Sequence, residues 1–230
     1  LVGDVYLKSY VVNKGVSAGT YGFVNILDDD INTTGTSQQG NVGNTAWTHT
    51  VAPMYGFFTW QQDVRYNYGR TNKLNDDATL KTLYIRINHV NNIVDLIDDM
   101  PHATEEDAAL YHRVKGEALF ARSQFYFTLA NLYGRPYRLD SAAVDLCVPL
   151  KLTSYVEHNK DQETQFSRAT NAEVYAQVAK DLETAASELT VSPQPDRFRL
   201  HRASAEAANL LLSRVYLYMQ RWSDAEKAAR

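Results

Sequence analysis

From Asp77 onward apolar residues recur at helical steps: Leu80, Leu83 with Tyr84, Ile87, Val90, Val94 and Ile97. Returns at three and four residues place side chains on one face of an α-helix, and Met100-Pro101 marks its end. Next comes "TEED", where Thr104 and Asp107 are spaced for a reciprocal N-terminal capping box. The helix it opens is predicted to run to about Tyr133. Tyr111, Val114, Ala118, Ala121, Phe125, Leu129 and Leu132 form one face, while Leu119, Phe120, Tyr126 and Phe127 fill the others. A helix apolar on nearly every side is expected to be surrounded by other helices. Gly134 is expected to close it in the left-handed conformation, and Pro136 prevents its resumption.

Residues 135–169 are predicted to be extended or looped, with "VPLKL" as a short apolar piece. A second capping box, Thr170 with Glu173, opens a helix carrying Val174, Tyr175, Val178, Leu182, Ala185 and Leu189, stopped before Pro193. Another helix is predicted from about Arg202 to Met219. Ser223 with Glu226 then predicts a further capped helix starting at Asp224, which has barely two turns before Arg230. A helix that short is marginal alone, so the chain is expected to be the front part of a longer protein. Leu212, Ser213, Tyr216, Trp222 and Ala225 have the spacing of a tetratricopeptide hairpin, where a small residue allows close approach and an aromatic fills the gap. The expected fold is all-α, a tetratricopeptide-like solenoid of helical hairpins over 77–230, with long irregular loops near the N-terminus.

Residues 1–76 differ. "NKGVSAGTYG" and "INTTGTSQQGNVGNTAW" are rich in Gly, Asn, Thr, Ser and Gln, the residues of turns and loops. Long irregular stretches inside compact chains are usually functional or disordered.

Composition narrows the function. A net charge of −4 supplies no basic stripe for a nucleic-acid backbone. No window approaches the run of about 20 apolar residues that spans a bilayer. Cys147 is the single cysteine, which excludes an internal disulfide and a multi-cysteine metal site. The six histidines, at 49, 89, 102, 112, 158 and 201, lack metal-ligand spacing. No phosphate-binding glycine loop or nucleophile elbow is present. Asp28, Asp29 and Asp30 lack the alternation of a calcium loop and are expected to form a solvated turn. Arg122 and Lys115, inside the crowded helix, require buried partners; Glu117 and Asp181 are candidates, in structural ion pairs rather than catalysis. Neither a catalytic residue, a metal site nor a cofactor is assigned.

Fifteen tyrosines among 11% aromatic residues suit both cores and flat binding surfaces. In "MYGFFTWQQDVRYNYG", aromatics alternate with Asn, Gln, Asp and Arg. Such a set fits the apolar face and hydroxyl rim of a sugar ring, or a small aromatic core that anchors a loop.

The ordered series "LYIRINHVNNIVDLID", "KGEALFARSQFYFTLANLYGRPY", "VPLKL", "SRATNAEVYAQVAKDLETAASEL" and "RFRLHRASAEAANLLLSRVYLYMQRWSDAEKAA" resembles the N-terminal region of the SusD/RagB family of outer-membrane nutrient-binding lipoproteins of Bacteroidetes. It covers nearly all of residues 80–230, and includes the Gly-Arg-Pro after the crowded helix and Arg168 before the capped one. Leu80 stands where the family often has Trp, and the lipidated N-terminal Cys is absent. The resemblance implies non-catalytic capture of a glycan, or sometimes a peptide, at the cell surface. It implies delivery to a SusC-type TonB-dependent transporter, and attachment to the outer membrane only through a lipid anchor upstream of Leu1. Family ligand sites draw on loops corresponding here to about residues 41–75. Within and beside them, Trp47, Trp60, Tyr66 and Tyr68 are the candidate ligand-binding residues, chosen on chemistry and place. The alternative is a helical-repeat scaffold or peptide-binding subunit without a sugar site.

Overall fold

The computed structural model describes residues 78–100, 103–155, 167–198 and 202–230. They form five α-helices: α1 (Ala78–Leu96), α2 (Glu105–Tyr133), α3 (Asn171–Val191), α4 (Ala205–Tyr218) and α5 (Trp222–Ala229). Short 3-10 turns follow α1 at Ile97–Asp99 and precede α4 at Asp196–Phe198. Among the described residues there is no strand, only an isolated antiparallel bridge between Leu146 and Thr170. The all-α expectation holds.

Tyr84 to Arg230 belong to one compact unit. Within it α2 packs chiefly on α3, α3 packs also on α4, and α4 in turn on α5. Contacts between α2 and α3 pair His112 with Glu188, Arg122 with Asp181, and Phe127 with Tyr175. The numbers rise on one helix as they fall on the other, so the two run antiparallel. α2 buries Gly116 to Leu119, Ala121 to Ser123, Phe125 to Phe127, Leu129 and Ala130, positions that no single face contains. Its apolar girdle is therefore the physical consequence of neighbours on several sides. Close approach to α3 depends on small residues. A Cβ on Gly116 would lie 2.6 Å from Leu189 Cγ, and Leu119, Ala185, Ala186 and Ala208 form one tight cluster across α2, α3 and α4.

The helix ends show where local sequence decides structure. Thr170 and Glu173 form the full capping box: the Thr170 side chain accepts from the Glu173 amide, and the Glu173 carboxylate accepts from the Thr170 amide. Thr104 caps α2 by accepting from the Asp107 amide. Asp107, one methylene shorter than Glu, instead accepts from the Thr104 hydroxyl at 2.7 Å. Half of the expected box forms there. α4 is shorter than expected at its start because Ser204 caps it, accepting from the Ala207 amide.

Two expectations are corrected. α5 begins at Trp222, not Asp224, and its preceding residue Arg221 makes no side-chain cap; Ser223 thus lies inside the first turn. Asp224 there pairs with the Arg221 guanidinium at 2.7 Å, which favours the earlier start. Gly134 is not left-handed: its φ and ψ are −85° and 168°. It is glycine because its space is taken. A Cβ would lie 2.5 Å from Ala130 O, 2.9 Å from Cys147 Sγ and 3.0 Å from Asn171 Oδ1.

Among the described residues, the non-glycine residue in the left-handed region is instead Gln220, with φ 59°. After α4, Gln220 donates its amide to Leu217 O and Arg221 donates to Tyr216 O, the pattern of a helix C-terminus closed through a left-handed residue. A side chain at that conformation costs about 1–2 kcal/mol, partly offset in a Gly variant by unfolded-state entropy. Gln220→Gly is therefore expected to raise stability by a few tenths to about 1 kcal/mol, measured by denaturant unfolding. Across this turn Ser213, placed by the tetratricopeptide spacing, donates its hydroxyl to Ala225 O at 2.9 Å. Tyr216 fills the gap, whereas Trp222 stays 63% exposed.

Candidate functional site

Trp47, Trp60, Tyr66 and Tyr68 lie outside the described residues, as do the 41–75 segment and Asp28 to Asp30. At the centre of the described helices is a buried polar network that ties three of them together.

Arg122 on α2 is held by Asp181 on α3 through two bonds, Nε to Oδ2 at 2.7 Å and Nη2 to Oδ1 at 2.8 Å. The side chains are 7% and 5% exposed, so this pair is buried and needs every polar atom occupied. Arg122 Nη1 donates to Asn91 Oδ1 on α1, and Gln177 Nε2 donates to Asp181 Oδ1. Of the two partners expected for Arg122, Asp181 is the one used. Glu117 serves Arg202, at 3.0 Å, and Gln194. Burial pushes the Glu117 carboxyl above its usual range, against the opposing pull of Arg202 and Gln194. Lys115 pairs with Asp98 and with the Tyr111 hydroxyl.

From Asn91 the network continues into the α2–α3 connection. Asn91 Nδ2 donates to Lys151 O and Thr153 O. The Tyr126 hydroxyl donates to Lys151 O at 2.7 Å and accepts from Lys151 N at 2.8 Å. Tyr84 donates to Pro149 O, the Lys151 ammonium reaches Asn88 Oδ1 and Thr153 O, and Ser154 N donates to Asp95. Residues 149–154 thus form a strap pinned on α1 and α2. Burial raises the Tyr126 and Tyr84 phenols above their ordinary values and lowers the Lys151 ammonium.

The same connection completes the start of α3. First-turn amides have no partner within a helix. Here Asn171 N donates to Asp145 O and Ala172 N to Ala142 O. Arg168 bridges the carbonyls of Cys147 and Leu146 from Nε and Nη2, which explains why an arginine precedes the capped helix. Asn171 Nδ2 donates to Arg135 O, while its Oδ1 has no hydrogen-bond donor. That oxygen lies 3.0 Å from where a Cβ on Gly134 would stand.

Between this connection and α3 lies an open groove of about 610 Å³, lined by Leu150, Ser167, Arg168, Ala169, Glu173, Ala176, Gln177 and Lys180. Its described lining contains no aromatic residue. Sequence reasoning missed Asn91, Tyr126 and Lys151, whose roles depend on contacts about 60 positions away along the chain for Asn91 and on a loop carbonyl for Tyr126. Among the described residues no group of His, Cys, Asp and Glu could hold a metal ion. His112 pairs with Glu188 at 2.5 Å. No helix among them is long and apolar enough to cross a membrane.

Comparison with known proteins places this frame. A SusD-like family described as starch-binding and associating with the outer membrane matches residues 17–217. A SusD superfamily protein of Bacteroides thetaiotaomicron is 32% identical, with a TM-score of 0.54 over 65% of this chain and 30% of that one. A SusD-like carbohydrate binding protein of Bacteroides vulgatus is 28% identical, with a TM-score of 0.54 over 65% of this chain and 29% of its own. A SusD superfamily protein of Bacteroides fragilis shares the fold over 99% of this chain and 46% of its own, with a TM-score of 0.67 at 24% identity. No curated protein matches. The chain spans about 30% of the length of the first two structures. With the family match running from residue 17 through all of α1 to α3, the chain belongs to the SusD-like family.

Proposed function

We propose that this chain is the N-terminal part of a non-catalytic cell-surface protein that binds a glycan and passes it to a SusC-type TonB-dependent transporter. In this reading the protein sits at the outer membrane, held by a lipid anchor upstream of Leu1. The observation that carries it is the family match over residues 17–217, a span that includes the whole Trp- and Tyr-rich segment. A SusD-like protein of the same fold is described as laminarin-binding, and the Bacteroides vulgatus relative as carbohydrate binding. Both support a sugar as the ligand class.

Sugar recognition would work by stacking of ring C–H faces on Trp60, Trp47, Tyr66 and Tyr68, with neighbouring Asn, Gln and Arg reading hydroxyls. Each contact is small, so selectivity comes from matching the curvature of a longer chain. Tethering to the transporter raises the effective ligand concentration. The helices α1 to α3 are locked to one another by Arg122, Asp181 and Asn91.

A glycan panel titrated by calorimetry against the full-length protein tests this. Trp60→Ala is expected to weaken binding about tenfold or more, about 1.4 kcal/mol, as truncation of a central aromatic does, with helical circular dichroism unchanged. Silence across the panel would transfer the assignment to a peptide or protein ligand.

A further inference from the structure

We propose that the groove between α3 and the connection before it is a second carbohydrate contact, separate from the aromatic segment. Its volume, about 610 Å³, falls within the roughly 300–1,000 Å³ of small-ligand sites. The ligand it suits is set by which polar atoms of its wall are already used. Glu173 receives both Thr170 bonds on Oε2, leaving Oε1. Gln177 donates from Nε2 to Asp181, leaving its carbonyl oxygen. Arg168 spends Nε and Nη2 on the carbonyls of Cys147 and Leu146, leaving Nη1. Lys180 adds its ammonium.

Among the described residues, the lining thus keeps two acceptors and two donors unbonded, together with the apolar Leu150, Ala169 and Ala176. Glu173, Gln177 and Lys180 are spaced i, i+4 and i+7, on one face of α3. Of the polar side chains, Arg168, Glu173 and Gln177 are already held by internal bonds, so ordering them on binding costs little. A pair of neighbouring hydroxyls both donates and accepts, and matches this arrangement. An anionic ligand would meet the Glu173 carboxylate, whose bonds from Thr170 hold it below the ordinary range and so ionised. Mixed signs favour a neutral polyhydroxyl chain. With no aromatic in the described lining, the contact is weak and supports a chain gripped elsewhere. The ligand class rests on the glycan reading above; the place does not.

Lysine acylation footprinting of the full-length protein, read by mass spectrometry, tests it with maltohexaose and laminarihexaose at millimolar concentration. Lys180 labelling is expected to fall several-fold with at least one of them, in the wild type and in Trp60→Ala alike. Gln177→Ala is expected to abolish that protection while circular dichroism stays unchanged. Equal labelling of Lys180 with and without both sugars overturns the proposal. So does protection that vanishes in Trp60→Ala yet survives Gln177→Ala. Trp60-dependent binding in the calorimetric panel with Lys180 unprotected removes the groove alone and leaves the glycan reading standing.

Discussion

Arg122→Ala is expected to destabilise the protein by about 3–5 kcal/mol, the cost of removing one partner from a buried ion pair. Asp181 would remain 4% exposed with its charge uncompensated, and Asn91 Oδ1 would lose its donor. For a chain of this size the unfolding midpoint should fall by roughly 10 °C. The pair itself is not the source of that loss, because desolvating two charges offsets most of their attraction. The double variant Arg122→Met with Asp181→Leu should therefore recover about half of that loss. What remains lost is the buried Asn91 carbonyl without a donor and the Gln177 amide without its acceptor, about 1–3 kcal/mol. Thermal unfolding of the three proteins checks both statements. A double variant as unstable as Arg122→Ala would mean that the ion pair contributes net stability of its own. A chevron analysis would add when the contact forms, since it joins residues 59 positions apart.

Gly134→Ala is the second large effect, expected at about 1–3 kcal/mol, as for overpacking. The backbone there is extended, with φ −85°, so alanine incurs no torsional penalty. Its methyl group would instead meet Ala130 O, Cys147 Sγ and Asn171 Oδ1. The origin can be separated by a double-mutant cycle with Cys147→Ala, which removes one of the three contacts. A steric origin makes the two substitutions couple, the second relieving part of the first; a torsional origin makes them add. Additivity measured by urea unfolding would restore the left-handed account of this position.

These positions mark how far the chain can be read from its sequence. α2 is legible because its apolar residues fall on all faces, and only surrounding helices satisfy that. The start of α3 is legible because a capping box is a four-residue event. The end of α2 is not: a glycine after a helix fits either a left-handed turn or a crowded one, and only Cys147 and Asn171, brought from elsewhere, decide. Gln220 carries no local signal, since glycine or asparagine is the usual left-handed residue. Charge alone points to Glu117 and Asp181 alike as partners for Arg122, and only the packing of α2 on α3 decides for Asp181. Charge does not point to Asn91 or Tyr126, because a polar residue on a helix is ordinarily solvated, nor to Lys151 in the connection between α2 and α3. The groove is invisible for the same reason. Its polar wall combines Arg168, from before α3, with residues of α3 that in sequence look like a solvated helix surface. The candidate aromatic residues rest on composition and position within the family match.

Tyr126 does more than fill space between helices. Its single hydroxyl gives and receives the two hydrogen bonds of the Lys151 peptide units, which in a sheet would go to a neighbouring strand. The phenol acts as a one-atom β-partner, so a helix protein can hold an extended segment in fixed register without building a second strand. That makes the strap's placement independent of the residues after it. Lys151 and the helices it touches are thereby held by bonds that the strap itself makes.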